Sequence, residues 1–178
     1  MNNGFLYDYY RMTGEEWGSF KSYFVFLSRY DIRYLFNLRS KRNKFLRSIW
    51  QLYSNRKYGL EIYSNCIGDG LYLGHAHNIN VHPDARIGNN CNLNKGCTIG
   101  RENRGKRNGA PSLGDCVWVG SNAVVVGNIS IGNDVLIAPN AYINFDVPDH
   151  SICIGNPAKV YHKENATLGY ITNIRNAK

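Results

Sequence analysis

Nowhere in its 178 residues does the chain hold an apolar run long enough for a membrane-spanning helix, which needs about 18 residues or more. The first fifteen residues lack the basic-then-apolar order of a secretory leader and carry acidic and aromatic groups instead. The expected location is therefore the cytoplasm. Cysteine is sparse, odd in number at five, and forms no CxxC pair, which excludes a disulfide framework or a structural zinc site as the organising principle. Proline numbers only five while apolar residues make up 43%, the balance of a folded chain. The length suits one domain with a sizeable core and room for a small appendage.

Acidic residues are almost missing from one stretch. Between Arg29 and Lys57 stand nine Arg or Lys and a single Asp, so this stretch carries the whole net charge of +8 and the rest balances to zero. Such a segment suits solubility and local salt bridges first, an anionic ligand or peripheral membrane contact second, and nucleic acid last.

What is present falls into two regions with different periods. Residues 1–59 read as a helical, basic N-terminal region of two or three helices with a loop near "NLRSKRN". "MTGEEWGSF" offers Thr13 as an N-cap with Glu16 three residues on, the capping-box arrangement. "NKFLRSIWQLY" places Phe45, Ile49, Leu52 and Tyr53 on one face, with Arg42 and Lys44 off it. That face needs a partner, and the domain that follows is the expected one; a basic amphipathic helix on a membrane surface is the other reading.

From about residue 60 to 160 a six-residue period takes over. Ile67, Leu73 and Ile79 are spaced by six, then, after a two-residue slip near His82, Val81, Ile87, Leu93 and Ile99. Leu113, Val119, Val125, Ile131, Ile137 and Ile143 continue it. Gly follows Ile67, Leu73, Ile87, Ile99, Leu113, Val119 and Ile131, and small or apolar groups such as Cys91, Cys97 and Ala123 stand four places after an anchor. One branched residue per six fills a core, and Gly or Asn beside it supplies positive φ at a turn. Three such faces make a triangular prism of stacked coils, each too small to bury a core alone. Cys91 and Cys97 then read as small core residues stacked on each other, and the Asn run of "IGNNCNLNKG" as turn residues bonding coil to coil. The stretch "GRENRGKRNGAP", residues 100–111, breaks the period and should loop out, and residues 161–178 form a tail.

The segments "IGDGLYLGHAHNINVHPDARIGNNCNLNKGCTIG", "LGDCVWVGSNAVVVGNISIGNDVLIAPNAYINFDVP" and "SICIGNPAKV" resemble the hexapeptide-repeat acyltransferases. The likeness is closest to their serine acetyltransferase-like branch, which includes acetyltransferases of capsule and exopolysaccharide synthesis. Gly155, Pro157 and Ala158 match the "G-x-P-A" end of the family's coil domain. The resemblance implies a mainly β chain, a left-handed parallel β-helix after a short helical region. It also implies homotrimers with sites between subunits and acetyl-CoA as cosubstrate, with no metal expected.

In that family a histidine in mid-coil removes a proton from the acceptor hydroxyl, and His75 of "LYLGHAHN" takes its place. An imidazole, with an ordinary pKa of about 6.5, is free to accept a proton at neutral pH. His77 reads as a companion lining the same interface, and His82 as a turn residue or an acceptor-binding one. A metal site would need three or four converging ligands, and no carboxylate or thiol joins these histidines at a familiar spacing. CoA is expected along Gly120, Ser121 and Ala138, whose small side chains let a pantetheine arm lie close, with Lys159, Lys106 and Arg107 toward its phosphates. Trp118 reads as an edge packing residue before an adenine face.

Three departures bear on the acceptor. Gly74 stands where serine acetyltransferases have Asp, Glu61 is the only carboxylate near their other Asp, and Ala110 stands at their second histidine. Without a carboxylate for a serine ammonium, a saccharide hydroxyl is the first expectation and L-serine the second. A prism that has kept the coil and lost the chemistry, a scaffold, is the third.

Overall fold

A computed structural model of the chain describes residues 3–40 and 44–175. Helices α1 (Asn3–Thr13), α2 (Phe20–Ser28), α3 (Tyr30–Arg39) and α4 (Lys44–Tyr58) come first, four among the described residues rather than two or three. Thr13 ends a helix instead of starting one. Its Oγ1 donates back to the Tyr9 carbonyl at 2.8 Å, and Gly14, at φ +72°, closes the helix through its N–H to the Tyr10 carbonyl. A glycine just past a helix end is a stop signal, and it outweighs the Thr13–Glu16 spacing. The cap of α2 is Ser19, which accepts from the Ser22 N–H. Of the loop expected near "NLRSKRN", residues 37–39 complete α3 and Ser40 caps it, while 41–43 lie outside the described residues.

An aromatic cluster binds the first three helices. Phe5 meets Trp17 and Phe36 edge-on, and Trp17 meets Tyr9 and Phe26 likewise, at centroid separations of 5.1–5.7 Å. One buried ion pair and one buried arginine then tie this layer to the coils. Asp8 is bidentate to Arg39, at 2.8 and 3.0 Å, and also accepts from the Leu71 N–H at 2.8 Å. Arg39 in turn donates to the Ile67 and Gly68 carbonyls. Arg11, wholly buried, donates to Gly70, Asn92 and Thr172, and so joins the first helix, two coils and the tail.

The apolar face of α4 does not pack on the coils. Phe45, Ile49, Leu52 and Tyr53 are between 44% and 69% exposed. The inward stripe is instead Gln51, Ser54, Asn55 and Tyr58: Gln51 donates to Tyr34 Oη and to the Leu60 carbonyl, and Asn55 donates to Glu61. Gln51 and Asn55 meet this inward side by hydrogen bonds, and Tyr58 by stacking on Tyr30.

The coils form a left-handed parallel β-helix. Its first face stacks Tyr72–Gly74, Asn92–Asn94, Trp118–Val119, Val135–Ile137 and Ser151–Ile154, with Lys159–His162 added antiparallel. The second stacks Asn80–Val81, Thr98–Gly100, Val124–Val126 and Tyr142–Ile143, and the third Arg86–Ile87, Ser112–Leu113 and Ser130–Ile131. Val119 lies beside Ile137, Val125 beside Ile143 and Leu113 beside Ile131, each eighteen residues on, so three hexads close one coil. Neighbours in the column are therefore a coil apart: Cys91 and Cys97 sit at successive corners of one coil and are not stacked on each other. Burial pushes both thiols up to about 12, which fits inert core residues.

One edge of the third face is stitched by side chains. Asn89 Oδ1 accepts from the Asp69 N–H, Asp115 from Asn89, Asn133 from Asp115 and Asp149 from Asn133, at 2.6–2.9 Å. This is the coil-to-coil bonding expected of the Asn run, extended to alternate with Asp. The excursion at 100–111 is a small hairpin, with Glu102 bridged to Gly109 and a 3-10 turn at Gly105–Arg107. Ile99 pairs with Val125 twenty-six residues on, so the hairpin adds eight residues to a coil.

The slip lies earlier than the hexads suggested. Gly74 pairs with Asn94, and the Gly96 N–H bonds the His77 carbonyl just as Asn122 bonds Lys95 and Asn140 bonds Ser121. Asn94 and Lys95 are adjacent, whereas their counterparts Gly74 and His77 are not. The two extra residues are His75 and Ala76. Ile79 consequently takes the corner position of Cys97 rather than an anchor position, which is why a count by sixes placed the slip near His82.

Candidate active site

The bulge decides where His75 points. At φ +51° its backbone leaves the corner between the first and second faces, and its side chain is exposed while Ala76 beneath it is buried. A non-glycine residue held in the left-handed region carries strain, and such positions gather at functional sites. The bulge is gripped from the helical layer: Tyr30 Oη donates to the Ala76 carbonyl at 3.2 Å. Tyr30 also stacks on Tyr58 at 4.3 Å, and the His77 ring packs against both. His77 is thus a half-buried packing residue under the bulge.

His75 opens on a cleft of about 360 Å³ lined by Arg29, Tyr30, Asp31, Tyr72, Leu73, Gly74, Ala76 and Asn94 as well. Arg29 and Asp31 form an ion pair at its wall, with a shortest contact of 2.5 Å, and Asp31 also accepts from the Ile32 N–H. The hydrogen bond to Asp31 holds the Arg29 guanidinium above its usual range. Asn94 donates to the Val119 carbonyl at 2.7 Å, and its Oδ1 would lie 1.9 Å from a Cβ on residue 74. Gly74 and Asn94 are therefore a matched pair, the amide filling the space that a side chain before His75 would need.

The other expected residues divide by corner. Gly120, Ser121 and Ala138 lie at the His75 corner on later coils, and Lys159, beside Ile154 on the antiparallel strand, continues that edge. Coil stacking alone already requires Gly120, because a Cβ there would meet the Pro139 nitrogen at 2.5 Å. Lys106 and Arg107 are exposed on the hairpin at the corner between the second and third faces, apart from His75. Glu61 is the first rung of the second face and bonds Asn55 and Asn80, outside the cleft. His82 takes a turn role, its Nδ1 accepting from the Asp84 N–H at 3.1 Å. Trp118 packs edge-on against Tyr170 of the tail at 5.1 Å.

Sequence reasoning missed Arg29, Tyr30, Asp31, Tyr72 and Asn94. The cleft does hold a carboxylate near Gly74, that of Asp31, brought from the helical layer. Its only signal was to be the single acid in the basic stretch.

A profile described as bacterial transferase hexapeptide (six repeats) matches residues 110–144. A serine acetyltransferase of Helicobacter pylori is 35% identical over 107 residues, covering 60% of this chain and 63% of that protein. One from Staphylococcus xylosus is 30% identical over 143 residues, covering 71% and 65%. The serine acetyltransferase of Neisseria gonorrhoeae superposes with a TM-score of 0.70 at 25% identity, over 90% of this chain and 64% of that one. Its complex with serine gives 0.67 at 27%, over 89% and 68%. The chain resembles the hexapeptide-repeat proteins, and among them the serine acetyltransferase-like branch. The chain spans less than two thirds of the length of these two curated relatives.

Proposed function

We propose that the chain is an acetyl-CoA-dependent O-acetyltransferase whose acceptor is the hydroxyl of L-serine or a closely similar amino acid. The carrying observation is the cleft that sets His75 beside the Arg29–Asp31 pair. A neighbouring cation and anion complement a zwitterion: Asp31 would take the ammonium and Arg29 the carboxylate, which leaves the hydroxyl for His75. The saccharide acceptor was first choice because a carboxylate was missing near His75. With Asp31 in the cleft that reason is gone, and the names of the matched relatives favour serine.

In the reaction the acceptor oxygen attacks the thioester carbonyl as His75 takes its proton. The C–O bond forms, the tetrahedral intermediate collapses with loss of the C–S bond, and the proton passes to the CoA thiolate. Backbone N–H groups of the bulge are suited to hold the oxyanion. CoA would run along the edge of Gly120, Ser121, Ala138 and Lys159. In a homotrimer, Lys106 and Arg107 of a neighbouring copy would supply phosphate contacts that they cannot make in their own chain.

The test is CoA release, read with a thiol reagent, from acetyl-CoA plus serine or a panel of monosaccharides and nucleotide sugars. Serine-dependent release is expected, and the variant His75→Ala should lose about 10²–10⁴-fold in kcat. Asp31→Asn should chiefly raise KM for serine. Release with a sugar and none with serine would overturn the acceptor, and full activity in His75→Ala would overturn the mechanism.

A further inference from the structure

α2, like α4, turns an apolar stripe to solvent. On α2, Phe20, Phe24 and Leu27 are 91%, 68% and 71% exposed, spaced as one helical stripe. On α4, Leu46, Ile49, Leu52 and Tyr53 are 62%, 50%, 54% and 44% exposed. α3 lies against both helices, and its Arg33 ties it to α2. Its guanidinium donates to the Phe26 and Leu27 carbonyls at the end of α2. An exposed apolar surface spread over two helices marks an interaction site rather than ordinary surface.

Charge identifies the occupant. The α4 stripe sits in the segment that carries the whole excess of positive charge, nine Arg or Lys against one Asp, and the α2 stripe ends just before it; that Asp is already paired with Arg29. Arg56 and Lys57 close α4, and no acidic residue lies anywhere on that helix. A second copy docking by the same face would bring two such segments together, like charge against like. An anionic bilayer offers the opposite charge and an apolar layer at once. No helix among the described residues is long and apolar enough to cross a membrane, so the contact is with one surface.

We infer that α2 and α4 together form a membrane-surface docking face, with Phe20, Phe24, Leu27, Ile49 and Leu52 entering the headgroup boundary of an anionic bilayer and the basic residues of α4 lying against its phosphates. The inference stands apart from the acetyl-transfer reading, since none of these residues lines the His75 cleft.

Co-sedimentation of the full chain with vesicles tests it. Vesicles containing phosphatidylglycerol should pellet the protein, and pure phosphatidylcholine vesicles should pellet far less. The double variant Phe24→Asp/Ile49→Asp, at exposed positions, should keep the circular-dichroism melt and lose about tenfold or more in partitioning. Arg56→Glu/Lys57→Glu, which keeps the apolar stripe, should lose the preference for the anionic lipid. No pelleting by the wild type, or a double variant that pellets like it, overturns the inference. So does a double variant that breaks a larger assembly in light scattering while the wild type ignores vesicles, because the face would then join copies of the chain.

Discussion

Leu93 and Val119 have nearly interchangeable surroundings: each is buried on the first face, with a branched residue one coil below and another one coil above. In the helical layer no two residues share an environment. Asp8 has Arg39 and the Leu71 N–H, Arg11 has Gly70, Asn92 and Thr172, and neither arrangement recurs. The coils draw stability from a contact repeated many times, so each copy matters moderately. The helices depend on a few singular buried contacts, and each of those should matter greatly.

Arg39→Leu gives the largest expected effect. It leaves Asp8 buried without its counter-charge, and breaking one side of a buried pair costs about 3–5 kcal/mol. Urea unfolding would measure it. The loss should also depend on pH. Burial, against the opposing pull of Arg39, raises Asp8 to about 6. A raised carboxyl contributes stability that is present below its unfolded value of 3.8 and lost as pH rises through about 6. Without Arg39 the shift grows, so the gap between variant and wild type should widen as pH rises past that point. A gap that narrows would show that Asp8 is charged and satisfied without Arg39.

Gly88→Ala probes the prism in the same way, with a smaller effect. A Cβ there would lie 2.4 Å from the Gly114 carbonyl oxygen, backbone that cannot step aside without moving a coil. Overpacking of this kind costs about 1–3 kcal/mol. A melting temperature equal to wild type would mean that the coils slide more freely than the shared spacing implies. Asn133→Ala, removing one rung of the Asn–Asp ladder, should cost about 1 kcal/mol, the net worth of an ordinary hydrogen bond.

The same contrast governs what could be read from the residues alone. The period of Leu113, Val119, Val125, Ile131, Ile137 and Ile143 encodes one contact many times, so the prism and its hairpin were legible in outline. The slip was misplaced because Ile79, a branched residue at a corner, mimics an anchor. Only the pairing of Gly74 with Asn94 exposes His75 and Ala76 as the added pair. His75 could be picked out by resemblance, but Arg29 and Asp31 come from a helix whose docking no local pattern specifies. The α4 face misled for a related reason: apolar spacing locates a stripe, whereas on the inward side Gln51 and Asn55 meet polar partners.

The smallest effect should appear where the tail meets the last coils, a singular contact grafted onto the repeat. Burial alone would raise the Asp134 carboxyl, but bonds from the Thr167 hydroxyl, His150 and the Thr167 and Ala166 N–H groups bring it below its ordinary value. The Asp134 bond, at 2.9 Å, in turn raises His150. The two signs oppose. Asp134 contributes stability that is present above 3.8 and lost as pH falls through its lowered value. His150 contributes stability present below 6.5 and lost as pH rises through its raised one. Because His150 is exposed, screening keeps its share slight. The expected record is a shallow fall in melting temperature as pH rises past 6.5, absent in His150→Gln. If the fall persists in that variant, the His150 bond adds nothing there, and Asp134 holds the start of the tail through Thr167 and Ala166, beside the separate hold of Arg11 on Thr172.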